Sequence, residues 1–187
     1  MDPIIDSSLS LEEALRQNPA LPCPEEILQR QRIIKVRYYS FDGKVHQGQI
    51  VVDVDVVTDV KDTFNLLLEQ KFPVTSVIPI ADPKFHWDDI ISMKADNSSG
   101  FNYRVKTIGT QLSNHAFGRA IDINPLINPF ISGTGEIIPH GAKYDTTKSG
   151  AITADSPLVK FFLSRGWEWG GAWTDRKDYQ HFQKPNK

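Results

Sequence analysis

Residues 113–124 read SNHAFGRAIDIN. His115 and Asp122 stand seven residues apart, with Gly118 and Ala120 between them and Ile121 and Ile123 flanking the aspartate. In an extended segment, side chains alternate between two faces. Asp122 then points away from the face on which Ile121 and Ile123 enter a core. A carboxylate on a central strand is costly to strip of water unless a cation meets it. Two partners satisfy that need: an arginine such as Arg119, or a metal ion shared with His115. Spacing by itself favours the ion pair, or a partly exposed edge strand that leaves the carboxylate in water. The small residues Gly118 and Ala120 let the chain turn tightly and pack close to whatever the ligands hold.

A second polar group lies near the end, at Asp178-Tyr179-Gln180-His181. A carboxylate stands three residues before a histidine, after an approach carrying Trp167, Trp169 and Trp173. A catalytic zinc site commonly takes three nitrogen or oxygen ligands and keeps one position open for water. His115, Asp122 and His181 supply three such ligands and leave Asp178 as a base near the water. The competing reading of His181 is a histidine packed on aromatic rings, and for a lone histidine that reading is the stronger.

Around these groups the chain reads as one α+β unit. It has 187 residues, enough for one compact domain with its own core. With 40% hydrophobic and 24% charged residues it has a folded protein's composition rather than a disordered one's. The formal charge is -2 with lysines and arginines scattered, so the basic stripe of a nucleic-acid binder is missing. Cys23 is the only cysteine, which excludes an internal disulfide. No apolar run approaches the ~18 residues of a membrane span. The start, MDPIIDSSLSLEEAL, has no basic region ahead of an apolar one and does not read as a signal peptide.

Ser10-Leu11-Glu12-Glu13 predicts a capping box opening a short helix, which Asn18-Pro19 ends. Residues 32–40 predict a strand, Asp42-Gly43 a two-residue hairpin turn, and KVHQGQIVV the returning strand. Residues 56–70 set Val56, Val57, Val60, Phe64, Leu67 and Leu68 on one helical face. TSVIPI, FNYRV and RAIDI predict short strands, with one turn of helix near Asp88. Residues 124–155 are a long stretch rich in Pro, Gly, Ser and Thr, of the kind that is functional or a family-specific insertion. Residues 156–165 predict a helix capped by Ser156 and stopped by Gly166, followed by two short strands around a loop. Strands and helices do not alternate regularly, so the class is α+β.

SNHAFGRAIDINP together with GWEWGGAW and DYQHFQ resembles the zinc peptidases that trim peptidoglycan peptides, the VanY-type D-alanyl-D-alanine carboxypeptidases and the related L-alanyl-D-glutamate endopeptidases. That family carries Ser-x-His-x-x-Gly-x-Ala-x-Asp and, near its end, Gly-x-x-Trp and Asp-x-x-His-Phe; both are present here in order. SGFNYR matches the family's Phe-x-x-Arg. The resemblance runs from about Ser92 to Gln183, and more loosely back to the hairpin near residue 32.

The resemblance implies that His115, Asp122 and His181 hold one zinc ion and that Asp178 is the catalytic base. It makes Arg104 the cation that meets the polarised carbonyl or a substrate carboxylate. Without the family, Arg104 reads as a surface strand charge. Ser113 becomes a substrate-side hydrogen-bonding residue, or else a turn residue beside His115. The three tryptophans form the packing wall of the site, with Trp173 the one nearest substrate, and Gly170-Gly171 lets the chain pass near the metal. His46, His86 and His140 match no ligand position and read as surface or loop histidines.

The implied fold is a single compact domain, a small central antiparallel sheet flanked by helices with the zinc cleft on the sheet. Residues 1–31 are a helical segment packed on the core, and 32–187 the peptidase domain. An insertion around residues 126–155 is expected to wall or gate the cleft. The implied function is zinc-dependent hydrolysis of amide bonds in peptidoglycan stem peptides, as a D-alanyl-D-alanine carboxypeptidase. An L-alanyl-D-glutamate endopeptidase stays open, as do a non-catalytic zinc or peptidoglycan-binding domain and a metal-free interaction domain. The expected partner is a peptidoglycan peptide, met by a monomer. Such a substrate implies the cell envelope or secretion, whereas the missing signal peptide points to the cytoplasm or another release route.

Overall fold

The computed structural model describes residues 2–16, 18, 20–106 and 110–185. Its longest elements are the strands β2 (Gln31–Tyr39) and β3 (Val45–Asp53), an antiparallel hairpin in register from Gln31 opposite Asp53 to Tyr39 opposite Val45. Ile34, Val36 and Tyr38 alternate onto the buried face of β2, as a period of two requires. The turn is wider than the two residues expected. Ser40 N–H still donates to Lys44 O, and Gly43 N–H closes onto Ser40 O. Gly43 takes φ of 78°, and Asp42 accepts from Lys44 N–H. A three-residue loop ending on a left-handed glycine suits the strand twist as well as a two-residue turn does.

Ahead of the hairpin stand β1 (Ile4–Ile5), α1 (Leu11–Ala14) and α2 (Glu25–Leu28). β1 pairs parallel with β3, so the segment before residue 32 contributes a strand as well as two single-turn helices. In α1 the Ser10 hydroxyl accepts from Glu13 N–H while the Glu13 carboxylate accepts from Ser10 N–H, the reciprocal capping box. The helix ends at Ala14, before Asn18, and Pro19 lies outside the described residues. α3 (Val57–Glu69) then lays Val60, Phe64 and Leu67 against the hairpin, with Leu68 only partly buried.

Then come β4 (Ser76–Val77), α4 (Asp89–Lys94), β5 (Asn97–Ser98), β6 (Ala120–Asp122), β7 (Phe130–Ile131) and β8 (Ile137–Ile138). α5 (Pro157–Ser164), β9 (Glu168–Trp169), β10 (Lys177–Asp178) and β11 (His181–Gln183) complete the chain. The α+β class holds, but the one central sheet expected is replaced among the described residues by three three-stranded sheets and a parallel pair. Their orders are β1-β3-β2, β6-β11-β9, β10-β7-β8 and β4-β5. Outside the hairpin no described strand exceeds three residues, too short to bridge these pieces into one ladder.

FNYRV is not a strand. Phe101 N–H goes to Val51 O, Asn102 N–H to His115 O, and Arg104 O accepts from Ser113 N–H. Backbone groups committed to separate neighbours cannot form one ladder.

The core joins the hairpin and α3 to α5 and to one face of β6-β11-β9. Phe182 lies at its centre, with its ring 4.4 Å from Phe162. The stretch 124–155 is tied to this core by a buried asparagine. The Asn128 amide donates to Ile123 O and Gly150 O and accepts from Ile152 N–H. No described helix is long and apolar enough to cross a membrane.

Candidate active site

Strand alternation sorts the site from the core. On β11, Phe182 stands opposite Ile121 of β6 and Trp169 of β9, all on the core face. His181 and Gln183 therefore point to the other face, where His181 is opposite Asp122 and Gln183 opposite Glu168. The Asp122 carboxylate thus meets a histidine across the ladder, with Oδ1 2.9 Å from His181 Nδ1. The arginine alternative fails: the Arg119 guanidinium turns to Asp53 and Asp55 and donates to Lys184 O and Pro185 O.

His115 arrives from a different element, the 3-10 turn Asn114–Phe117. The Ser113 hydroxyl caps it by accepting from His115 N–H, and Gly118 ends it at φ of 67°. A side chain at 118 would be strained, and its Cβ would lie 2.1 Å from Gln31 Oε1. The turn aims His115 Nε2 at the ladder pair, 3.2 Å from Asp122 Oδ2 and 3.2 Å from His181 Nδ1. One ligand atom from each of the three residues lies within 4.8 Å of the others.

Each imidazole is held from its far side. His115 Nδ1–H donates to Gly100 O at 2.6 Å, leaving the Nε2 lone pair facing the cluster. His181 Nε2–H donates to Gln183 Oε1 at 3.1 Å, leaving Nδ1 inward. An outward hydrogen bond that sets the tautomer is how metal-binding histidines are oriented.

Electrostatics pull the same way. Burial raises the Asp122 carboxyl, but the His115 and His181 imidazoles outweigh it and hold that carboxyl well below the usual range. Burial lowers His181, yet Asp122 and then Asp178 raise it to about 9. Three groups of this kind, all buried, are a costly arrangement without a shared cation. Two imidazole nitrogens and one carboxylate are a donor set that suits zinc. The residues therefore fit a divalent metal ion.

A cleft of about 140 Å³ opens beside the cluster. Arg104, Ser113, Trp173 and Asp178 line it together with the three candidate ligands. Asp178 ends β10, and Gly170 lies against it: a Cβ at 170 would sit 2.6 Å from Asp178 O. The Asp178 Oδ1 is sealed from solvent with no partner among the described atoms. Burial pushes its carboxyl up to about 7, with His181 pulling down and Asp122 pushing up. Arg104 is not a free strand charge. It pairs with Asp89 at 2.9 Å and donates to Val105 O, while its buried Nε has no partner among the described residues.

Of the tryptophans, only Trp173 faces the cleft, 5.6 Å from the His181 ring and under the Arg176 guanidinium. Trp167 and Trp169 are core residues that donate to Asp59 and Tyr179 O. Phe130 of β7 and Ile138 of β8 also line the cleft, so the stretch expected to wall it does. His86 and His140 are exposed as read, but His46 is not a plain surface histidine. It is partly buried between Asp6 and Asp42 and stacks on Tyr38.

Sequence reading missed Asn114, Gln183, Glu168 and Asp89. Gln183 had a signal, since it lies two residues from His181 on a strand and shares its face. Glu168 and Asp89 had none, because only the strand register and the placement of α4 bring them here.

The family model for D-alanyl-D-alanine carboxypeptidase matches residues 107–184, less than half of the chain, with Arg104 just upstream. No curated protein and no solved structure gives a match. The matched segment carries His115, His181, Asp122 and Asp178, and the candidate ligand atoms converge in one buried cluster. Residues 107–184 thus match the D-alanyl-D-alanine carboxypeptidase family, a family of metallopeptidases, and their buried His-Asp-His cluster is of a kind that could hold a metal ion.

Proposed function

We propose that this protein is a zinc-dependent carboxypeptidase that releases the terminal D-alanine from peptidoglycan stem peptides. The observation that carries the proposal is the meeting, in one cleft, of the His115-Asp122-His181 cluster with a buried carboxylate that has an unpartnered oxygen, Asp178. A structural metal site has no use for such a group, which argues against a purely binding domain. A zinc ion held by the three ligands would supply Lewis-acid activation of water and of the scissile carbonyl.

The protein's own residues do the rest. Asp178, raised toward neutrality by burial, is suited to accept the proton of the attacking water and return it to the leaving amine. Arg104, anchored by Asp89 and lining the same cleft, is suited to hold the oxyanion or the substrate's terminal carboxylate. Ser113, a buried residue lining the cleft, offers a hydroxyl, and Trp173 an apolar wall. A cell-wall substrate implies action in the envelope.

The test is digestion of muropeptides with a pentapeptide stem, with and without chelator, followed by mass analysis. Loss of one alanine supports the carboxypeptidase. Release of a peptide beginning with D-glutamate would replace it by the endopeptidase, and no cleavage by zinc-loaded protein would remove both.

A further inference from the structure

We infer that Gln183 is a positioning residue for the metal site: through a side-chain amide whose direction is set by Asn114 and Glu168, it holds His181 as the tautomer that turns Nδ1 toward Asp122 and His115. The inference rests on the metallopeptidase reading above.

The amide is pinned at both ends. Gln183 Oε1 accepts from His181 Nε2–H at 3.1 Å and from Asn114 Nδ2–H at 2.6 Å. Gln183 Nε2–H donates to Glu168 Oε2 at 2.6 Å. Turning the amide over would set its NH₂ against the Asn114 NH₂ and its oxygen against the Glu168 carboxylate. Two hydrogen bonds that do not depend on the histidine would become two repulsions. The amide therefore has one direction, and that direction presents an acceptor to His181.

The arrangement follows from the local fold. Gln183 shares a face of β11 with His181 because they are two residues apart, and it is opposite Glu168 across the β9 ladder. Asn114 opens the turn that carries His115. One amide thus links both histidine-bearing elements to an exposed carboxylate. His115 has the corresponding support from Gly100 O, a backbone atom no substitution can remove. Gln183 is the one of the two supports that mutation can test.

The experiment measures zinc affinity of the full chain by competition with a chelating dye. Its second readout is the ¹⁵N spectrum of the zinc-loaded His181 ring. Gln183→Leu removes the acceptor and should weaken zinc about 10–100-fold. The His181 Nε2–H signal should then exchange faster with water. The double variant Gln183→Glu with Glu168→Gln reverses the amide–carboxylate pair and keeps every hydrogen bond. It should recover affinity to within about threefold. Glu168→Ala, at an exposed position that does not threaten folding, should weaken zinc by at least about threefold.

Wild-type affinity in both Gln183→Leu and Glu168→Ala would overturn the inference, as would a zinc-loaded His181 bound through Nε2. Wild-type protein that takes up no zinc would overturn the metal site itself, a different failure. Should Gln183→Leu not fold, Glu168→Ala decides alone.

Discussion

His181 and Asp122 face each other across the β6–β11 ladder, with the imidazole Nδ1 2.9 Å from the carboxylate Oδ1. Two candidate ligands are thereby set by strand register alone. The third, His115, depends on a separate turn, so a metal held here would join two distant parts of the chain. His115→Ala should leave the ladder intact yet lose the metal. Elemental analysis after dialysis against zinc-free buffer should find zinc in wild-type protein and none in the variant.

Asp178 differs from the ligands in having, among the described residues, no partner for Oδ1. Asp178→Asn should therefore keep zinc while kcat falls by roughly 10²–10⁴. Zinc content and muropeptide hydrolysis measured on one preparation check this. Hydrolysis at the wild-type rate would show that Asp178 is not the base.

Phe130 and Ile138 reach the cleft from the long stretch after Asn124. Neither is a candidate ligand, and Phe130 stands opposite the proposed base, Asp178, across the β7–β10 ladder. Phe130→Ala should raise KM several-fold and leave zinc affinity unchanged. A fall in kcat with KM constant would place the side chain in the chemistry instead.

Phe182 is fully buried between two site residues, on the opposite face of β11. Phe182→Ala should cost about 3–5 kcal/mol, read as a shift in denaturant midpoint. The loss comes from the core, so the fraction that remains folded should still take up zinc.

His46 lies between two carboxylates and a tyrosine ring. Burial lowers its pKa, but hydrogen bonds and charge from Asp42 and Asp6 outweigh that and leave it raised above 6.5. A raised folded value means the stabilisation is fully present below the unfolded value near 6.5 and is lost as pH rises through the folded one. Wild type should exceed His46→Gln in stability at pH 5.5, and the gap should close by alkaline pH. Chemical denaturation at both ends of that range measures it; a gap that does not change would show that the imidazole charge contributes nothing.

The residue pattern alone determined that Asp122 leaves the core face that Ile121 and Ile123 enter, because side-chain alternation is a local rule of extended chain. The same rule, with the capping box at Ser10 and the apolar face of 56–70, made the hairpin, α1 and α3 legible, while the ligand set was legible only through the family resemblance of the two motifs. Tertiary structure decided what depends on contacts between distant segments. Arg119 left Asp122 for Asp53, FNYRV divided its backbone bonds among separate neighbours, and Trp167 and Trp169 turned to the core while Trp173 faced the cleft. Gln183 met Glu168 only through strand register, and Arg104 met Asp89 only through the placement of α4. Local periodicity says which face a side chain takes; the packing of separate segments says what it meets there.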